Sequence, residues 1–247
     1  MTQRLLRLAL MAALFVVAVP VSAFAQTGTV VDWGPDCYAY ESNYNPATYI
    51  SAAGSSLNIV GVVNGFLGPL GSIDPNGGTE YTLYMTGMTS AGTVITPGVF
   101  ANTYRTVYNG GSFQIWEDTP RDAAFGTNPP NATVPSSFTD GSLFLSGFYT
   151  SLTVTFSKQN SNQQILGGNA DTGEPSVANG VFTGGSALPL VSIGGRGCPF
   201  RITGGWLAKP GNFPTGYTAH FDGKIDINCP TETTPSTWGK IKSQYRD

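Results

Sequence analysis

The stretch YRTVYNGGSFQIWED (104–118) carries two short β-type runs around Asn109-Gly110-Gly111. Val, Tyr, Phe, Ile and Trp suit a half-buried pleated surface. Asn-Gly and Gly-Gly accept positive φ at little steric cost, so this spacing predicts a β-hairpin. Upstream, EYTLYMTGMTS (80–90) places Tyr81, Leu83 and Met85 on one face and Thr82, Tyr84 and Thr86 on the other, the alternation of a strand with one buried face. PNGGTE (75–80) reads as the turn before it, and SSLNIVGVVNGFL (55–67) as a further apolar, β-branched strand. Downstream, GSLFLSGFYTSLTVTFSKQ (141–159) predicts two strands joined near Gly147. The segments 179–193, 198–208 and 217–228 complete the set. Several runs contain a mid-strand Gly, as where sheets bulge or close. Residues 119–141 have no period and predict a long, ordered surface loop with one short helical turn near Pro120–Ala124.

Composition agrees with an all-β chain. Gly numbers 32 of 247 residues, aromatics reach 12% and charged residues only 11%, with helical periodicity nearly absent before the C-terminal tail. The expected architecture is a Gly-rich antiparallel β-sandwich or partly closed barrel with long loops. Arg4 and Arg7, the apolar run Leu8–Val19, and Ala23-Phe24-Ala25 have the pattern of a secretory signal peptide cleaved after Ala25. That divides the chain into 1–25 signal peptide, 26–230 one all-β domain, 231–236 linker and 237–247 tail. The expected destination is secreted, periplasmic or cell-surface. Without Arg4 and Arg7 the formal net charge of −3 becomes −5. An acidic body so poor in cations is badly suited to phosphate backbones, which argues against nucleic-acid binding. No later segment is long and apolar enough to span a bilayer as a helix.

The order of elements over residues 55–160 resembles the opening of an oligonucleotide/oligosaccharide-binding barrel. A G-V-V strand, a long second strand, a strand ending W-E-D, an irregular connector and then DGSLFLSG follow one another. The resemblance implies an OB-like barrel whose connector contains a helix.

Little points to catalysis. No G-x-S-x-G elbow is present, and His220 is the single histidine, so neither a conventional triad nor a two-histidine metal motif is signalled. Carboxylate chemistry needs only two acids placed by the fold. Glu117, Asp118 and Asp122 are the densest acidic cluster, and the neighbouring Trp116 could stack on a sugar ring. The plainer reading of the cluster is a solvated strand end. Asp74, Asn76 and Glu80 offer oxygen ligands for calcium, but their spacing departs from an EF-hand and turn formation explains them. No cofactor is implied. Tyr38 and Tyr40, two apart on one strand face, are candidates for a glycan- or protein-binding platform, or else pack beneath loops. Asn131-Ala132-Thr133 matches a glycosylation sequon. Three cysteines in an exported chain suggest one disulfide and one leftover. Cys198–Cys229 is favoured, because each borders a strand-like run and precedes Pro, which leaves Cys37 free or paired with another chain.

The tail TWGKIKSQYR (237–246) places Trp238, Ile241 and Tyr245 on one stripe of a short helix, with Lys240, Lys242 and Arg246 off it. It resembles short W-G-x-I-K-x-x-Y/F-R endings of exported bacterial proteins of unassigned function. The sequence thus predicts a non-catalytic exported β-protein that binds a protein, glycan or surface and carries a docking tail. The alternative is a secreted glycan hydrolase using Glu117, Asp118 or Asp122.

Overall fold

The computed structural model describes residues 26–126, 131–176, 179–208 and 213–229. The signal segment, the linker and the tail with Trp238, Ile241 and Tyr245 lie outside the described residues. The strands in chain order are β1 (Gln26–Glu41), β2 (Tyr44–Asn45), β3 (Ile50–Ser51), β4 (Ser56–Phe66), β5 (Glu80–Thr96), β6 (Ala101–Asn109), β7 (Ser112–Asp118) and β8 (Ser142–Tyr149). They continue with β9 (Ser151–Gln159), β10 (Ile165–Asp171), β11 (Gly180–Gly184), β12 (Ser192–Ile193), β13 (Arg196–Gly197), β14 (Phe200–Ala208) and β15 (Ala219–Cys229). No described helix exceeds a few residues, and none is long and apolar enough to cross a membrane.

The alternation in 80–90 is realised except at Thr82, which is buried and donates its hydroxyl to the Phe138 carbonyl of the 119–141 loop at 3.0 Å. β5 buries Leu83 and Met85 completely, while Tyr84 and Thr86 remain partly accessible on the opposite face.

The hairpin expected at 104–118 does not form. β6 and β7 do not pair with each other. Both run antiparallel to β5, end to end, from Thr96↔Thr103 to Thr89↔Asn109 and then from Thr86↔Ser112 to Glu80↔Asp118. Gly110 (φ 71°) and Gly111 (φ 137°) use their positive φ for a kink rather than a reversal. A Cβ on Gly111 would lie 2.3 Å from the Tyr149 ring, so the kink also needs the missing side chain. The physical reason is the length of β5. A 17-residue strand offers both runs a backbone ladder, so neither has to fold back on the other.

The same device recurs twice. β8 and β9 run end to end along β7 and β6, and they join at Thr150 rather than near Gly147 as expected. β10 and β11 run end to end along β9 and β8. Each interrupted pair acts as one long stave. The eleven strands of the main sheet therefore make eight staves, in the order β1, β4, β5, β6–β7, β8–β9, β10–β11, β14 and β15. Each is antiparallel to its neighbour in chain order. β15 pairs back onto β1, from Gln26↔Cys229 to Ala39↔Ala219, and the ring closes. The last seam is made by β10 along Thr203–Gly205 and by a single bridge between Val181 of β11 and Pro199. This is an up-and-down antiparallel barrel, an architecture that leaves no exposed sheet edge in its wall.

Within residues 55–160 neighbouring staves follow chain order, and an oligonucleotide-binding arrangement is not confirmed. Residues 121–126 form no helical turn; a three-residue 3-10 turn occurs instead at Ser136–Phe138. One apolar cluster fills the ring, including Trp33, Leu57, Phe113, Phe200, Phe221 and Ile225. Eight-stranded barrels are just wide enough to be packed solid by their own side chains. A smaller cluster lies apart from it. There Ala132 and Phe138 of the 119–141 loop cover Val60, Tyr38 and Tyr40. The Cys198–Cys229 disulfide is present and links the start of β14 to the end of β15, while Cys37 is free and buried.

Candidate functional site

The acidic residues near β7 are only partly gathered. Glu117 accepts a hydrogen bond from the Tyr81 hydroxyl at 3.2 Å. Asp118 and Asp122 instead meet Asp140, which the sequence reading missed. One carboxylate oxygen from each of the three lies within 4.8 Å of the others. Desolvation, and then the charge of Asp140, push the Asp118 carboxyl above the ordinary carboxylate range. Asp122 and Asp140 are exposed. Trp116 is half-buried, with its indole nitrogen shielded from solvent. Asp74 accepts the Asn76 N–H of its own turn at 2.9 Å. Glu80 is buried and accepts the Ala123 N–H at 2.9 Å. Among the described residues Asp118, Asp122 and Asp140 are the gathered acids.

Tyr38 and Tyr40 share a face of β1, as their spacing predicts, and loops cover that face. Phe125 meets Tyr38 edge-on at 5.0 Å, and Phe213 and Tyr217 pack against the same ring. His220 contacts the rings of Tyr38 and Phe213 and hydrogen-bonds the Pro35 carbonyl, a packing role.

A different site lies at one end of the barrel. Cys37, Ala39 and Glu41 alternate inward along β1, so the strand period carries a carboxylate into the mouth of the ring. Glu41 is only 4% exposed. Its Oε2 accepts hydrogen bonds from Ser51 Oγ at 2.9 Å and Tyr108 OH at 3.0 Å. The β2–β3 hairpin delivers Ser51 and is anchored by the Ser51 N–H donating to Thr93 Oγ1 at 2.9 Å. Asn45 stabilises its turn by accepting the N–H groups of Ala47 and Thr48. Burial raises the Glu41 carboxyl above its ordinary value, and the Ser51 and Tyr108 hydrogen bonds oppose that rise without cancelling it. Sequence reading missed Glu41; the signal available was its inward phase with Cys37 and Ala39.

Beyond this mouth the β5–β6 connection projects TPGVF (96–100). Val99 is 88% exposed and Phe100 is 83% exposed. The tip is held in place by Asn160, whose Nδ2 donates to the Gly98 carbonyl at 2.9 Å and whose N–H donates to the Phe100 carbonyl at 3.0 Å.

Fold and site together define a closed up-and-down β-barrel with a filled interior, a polar mouth and an apolar hairpin tip. No protein-family model matches the chain, and no curated protein or solved structure does so either.

Proposed function

We propose that this chain is an exported, non-catalytic binding protein that engages a protein partner at an envelope or cell surface through the β5–β6 tip. The observation that carries the reading is the pair Val99 and Phe100, adjacent, apolar and almost fully exposed. Isolated exposed apolar residues are ordinary, but two large neighbours on a projecting, tethered turn fit an interaction site. Asn160 pre-orders that turn, which lowers the ordering cost of association. Val99 offers neither a stacking face nor a hydrogen bond, so a protein groove suits the tip better than a glycan. The signal pattern at residues 1–25 supports export, and the 237–247 tail would add a second docking element.

The test is fractionation of cells producing the full chain. Wild type is expected to co-sediment with the envelope. Val99→Asp with Phe100→Asp is expected to release the protein while changing folding stability by no more than about 0.5 kcal/mol, as for surface substitutions elsewhere. An unchanged distribution of the double variant would refute the assignment of the tip.

A second reading has one observation in its favour. Asp118, Asp122 and Asp140 converge, and Asp118 is biased toward its protonated form, as a general acid requires. On this reading the chain is a glycan hydrolase with Asp140 standing where Glu117 was expected. Screening soluble oligosaccharides for reducing-end release decides it: hydrolysis that disappears in Asp118→Asn would displace the binding reading, and no release by wild type would remove the hydrolase.

A further inference from the structure

The barrel mouth contains an unbalanced charge site independent of the hairpin tip. Glu41 uses one carboxylate oxygen, Oε2, for both of its hydrogen bonds. The other, Oε1, is shielded from solvent and has no partner among the described residues. The hydroxyl of Tyr44 is likewise shielded and unpartnered. Both side chains line one cavity of about 10 Å³, room for a single water-sized occupant. Tyr49, Phe156 and Trp206 also line it, and no basic side chain does. Lys158 lies over one of these rings, its Nζ 4.8 Å from the Tyr49 ring centroid.

These features select a ligand class. A buried carboxylate without a counter-charge is costly unless it is neutralised or paired. Aromatic rings around it favour a cation by their quadrupoles. Lys158 over Tyr49 shows that one of these rings already accepts an ammonium group. A hard divalent ion takes six or more oxygen ligands, and a water-sized cavity with a single carboxylate leaves no room for that shell. A monovalent ion that donates hydrogen bonds satisfies both orphan oxygens at once.

We propose that the barrel mouth binds a single ammonium group, either the free ion or the head of a primary amine, with N–H bonds to Glu41 Oε1 and Tyr44 OH and the rings of Tyr49, Phe156 and Trp206 around the charge. The free ion matches the cavity as it stands. An amine would need the β2–β3 hairpin to lift, because that hairpin supplies Tyr44, Tyr49 and Ser51.

The site has a definite pH response. The ionisable groups facing Glu41 are its hydrogen-bond donor Tyr108 from β6 and Tyr44 and Tyr49 from the hairpin, with Lys158 of β9 over the Tyr49 ring. Burial holds the Tyr44 and Tyr108 hydroxyls well above the ordinary phenol range. Glu41 therefore titrates alone in the acid range, from a value raised above 4.5 by burial. A cation competes with that proton. Affinity rises with pH through the window above 4.5 and levels off once Glu41 is ionised without ligand. In the ligand-free protein the sign is opposite. The raised carboxyl favours the fold below its unfolded value, and that contribution is lost as pH rises through the folded value.

The experiment uses the processed full chain and follows Trp fluorescence and isothermal calorimetry at constant ionic strength. The probes are ammonium chloride and methylamine hydrochloride, with sodium and potassium chloride as controls. Saturable binding of ammonium is expected, weakened at least tenfold by Glu41→Gln and less by Tyr44→Phe. Glu41→Gln keeps an oxygen for Ser51 and Tyr108, and circular dichroism checks that both variants fold. Binding of ammonium alone identifies the ion, and binding of methylamine as well identifies an amine head; either supports the proposal. An equal response to sodium or potassium, a response unchanged in a folded Glu41→Gln, or no saturable signal from either amine probe overturns it.

Discussion

Replacing Trp33 by alanine is expected to cost about 3–5 kcal/mol of folding stability, the range for removing a large buried aromatic. Trp33 is 1% exposed at the centre of the barrel and meets Phe221 edge-on at 5.7 Å. The site cannot collapse readily, because the surrounding wall is a closed ring of ladders rather than a movable layer. Gly223 explains how the indole fits at all. A Cβ there would lie 2.9 Å from Trp33 Cζ2, so β15 gives up a side chain where β1 inserts its largest one. Trp33→Phe should cost clearly less than Trp33→Ala, since it keeps a ring in the space and removes a buried indole N–H with no partner among the described residues. Chemical denaturation of the three proteins checks this. Equal midpoints for wild type and Trp33→Ala would mean that the ring interior is not the packed core described.

Removing the disulfide has the second-largest expected effect. Cys198 and Cys229 are 31 residues apart, and a closed loop of that length constrains the unfolded chain by about 3–4 kcal/mol in the chain-entropy treatment. The bond also ties the start of β14 to the end of β15 near the seam where β14 meets β11 through a single bridge. The Cys198→Ala, Cys229→Ala double variant is expected to melt about 10 °C lower, at a few degrees per kcal/mol for a domain of this size. Reductant should lower the wild-type melting temperature comparably and leave the double variant unmoved. A wild type indifferent to reductant, with thiol titration showing both cysteines free, would count against the pairing.

The legible parts of the fold are those that rest on short-range chemistry. The inward set of β5, the shared face of Tyr38 and Tyr40, and the disulfide partners all follow from strand period, turn residues and the borders of apolar runs. The 104–118 stretch does not disclose its own pairing, for a definite reason. Asn-Gly-Gly permits positive φ, and both a reversal and a kink require it. Only a partner strand decides between them, and β5 lies fifteen or more residues upstream in most of its pairings. The break at Thr150 rather than near Gly147 was hidden in the same way, because it is set by the kink across the ladder.

The candidate sites divide along the same line. Glu117, Asp118 and Asp122 are adjacent in sequence, yet strand alternation and the Tyr81 hydroxyl separate the first from the others, and Asp140 arrives from the far side of a loop. Glu41 belongs to no motif in the sequence. Its significance depends on Tyr108 from β6 and Trp206 from β14, which ring closure brings to the same mouth.

By itself the sequence determined the strand type, the face each residue takes within its strand and the chemistry available to the turns, because these depend on neighbours within a few positions. Tertiary structure alone decided that six strands join end to end into three staves, that eight staves close into a barrel, and that a carboxylate is left buried at its mouth. Those outcomes depend on which distant backbone ladder satisfies each N–H and C=O, and local pattern carries no record of that choice.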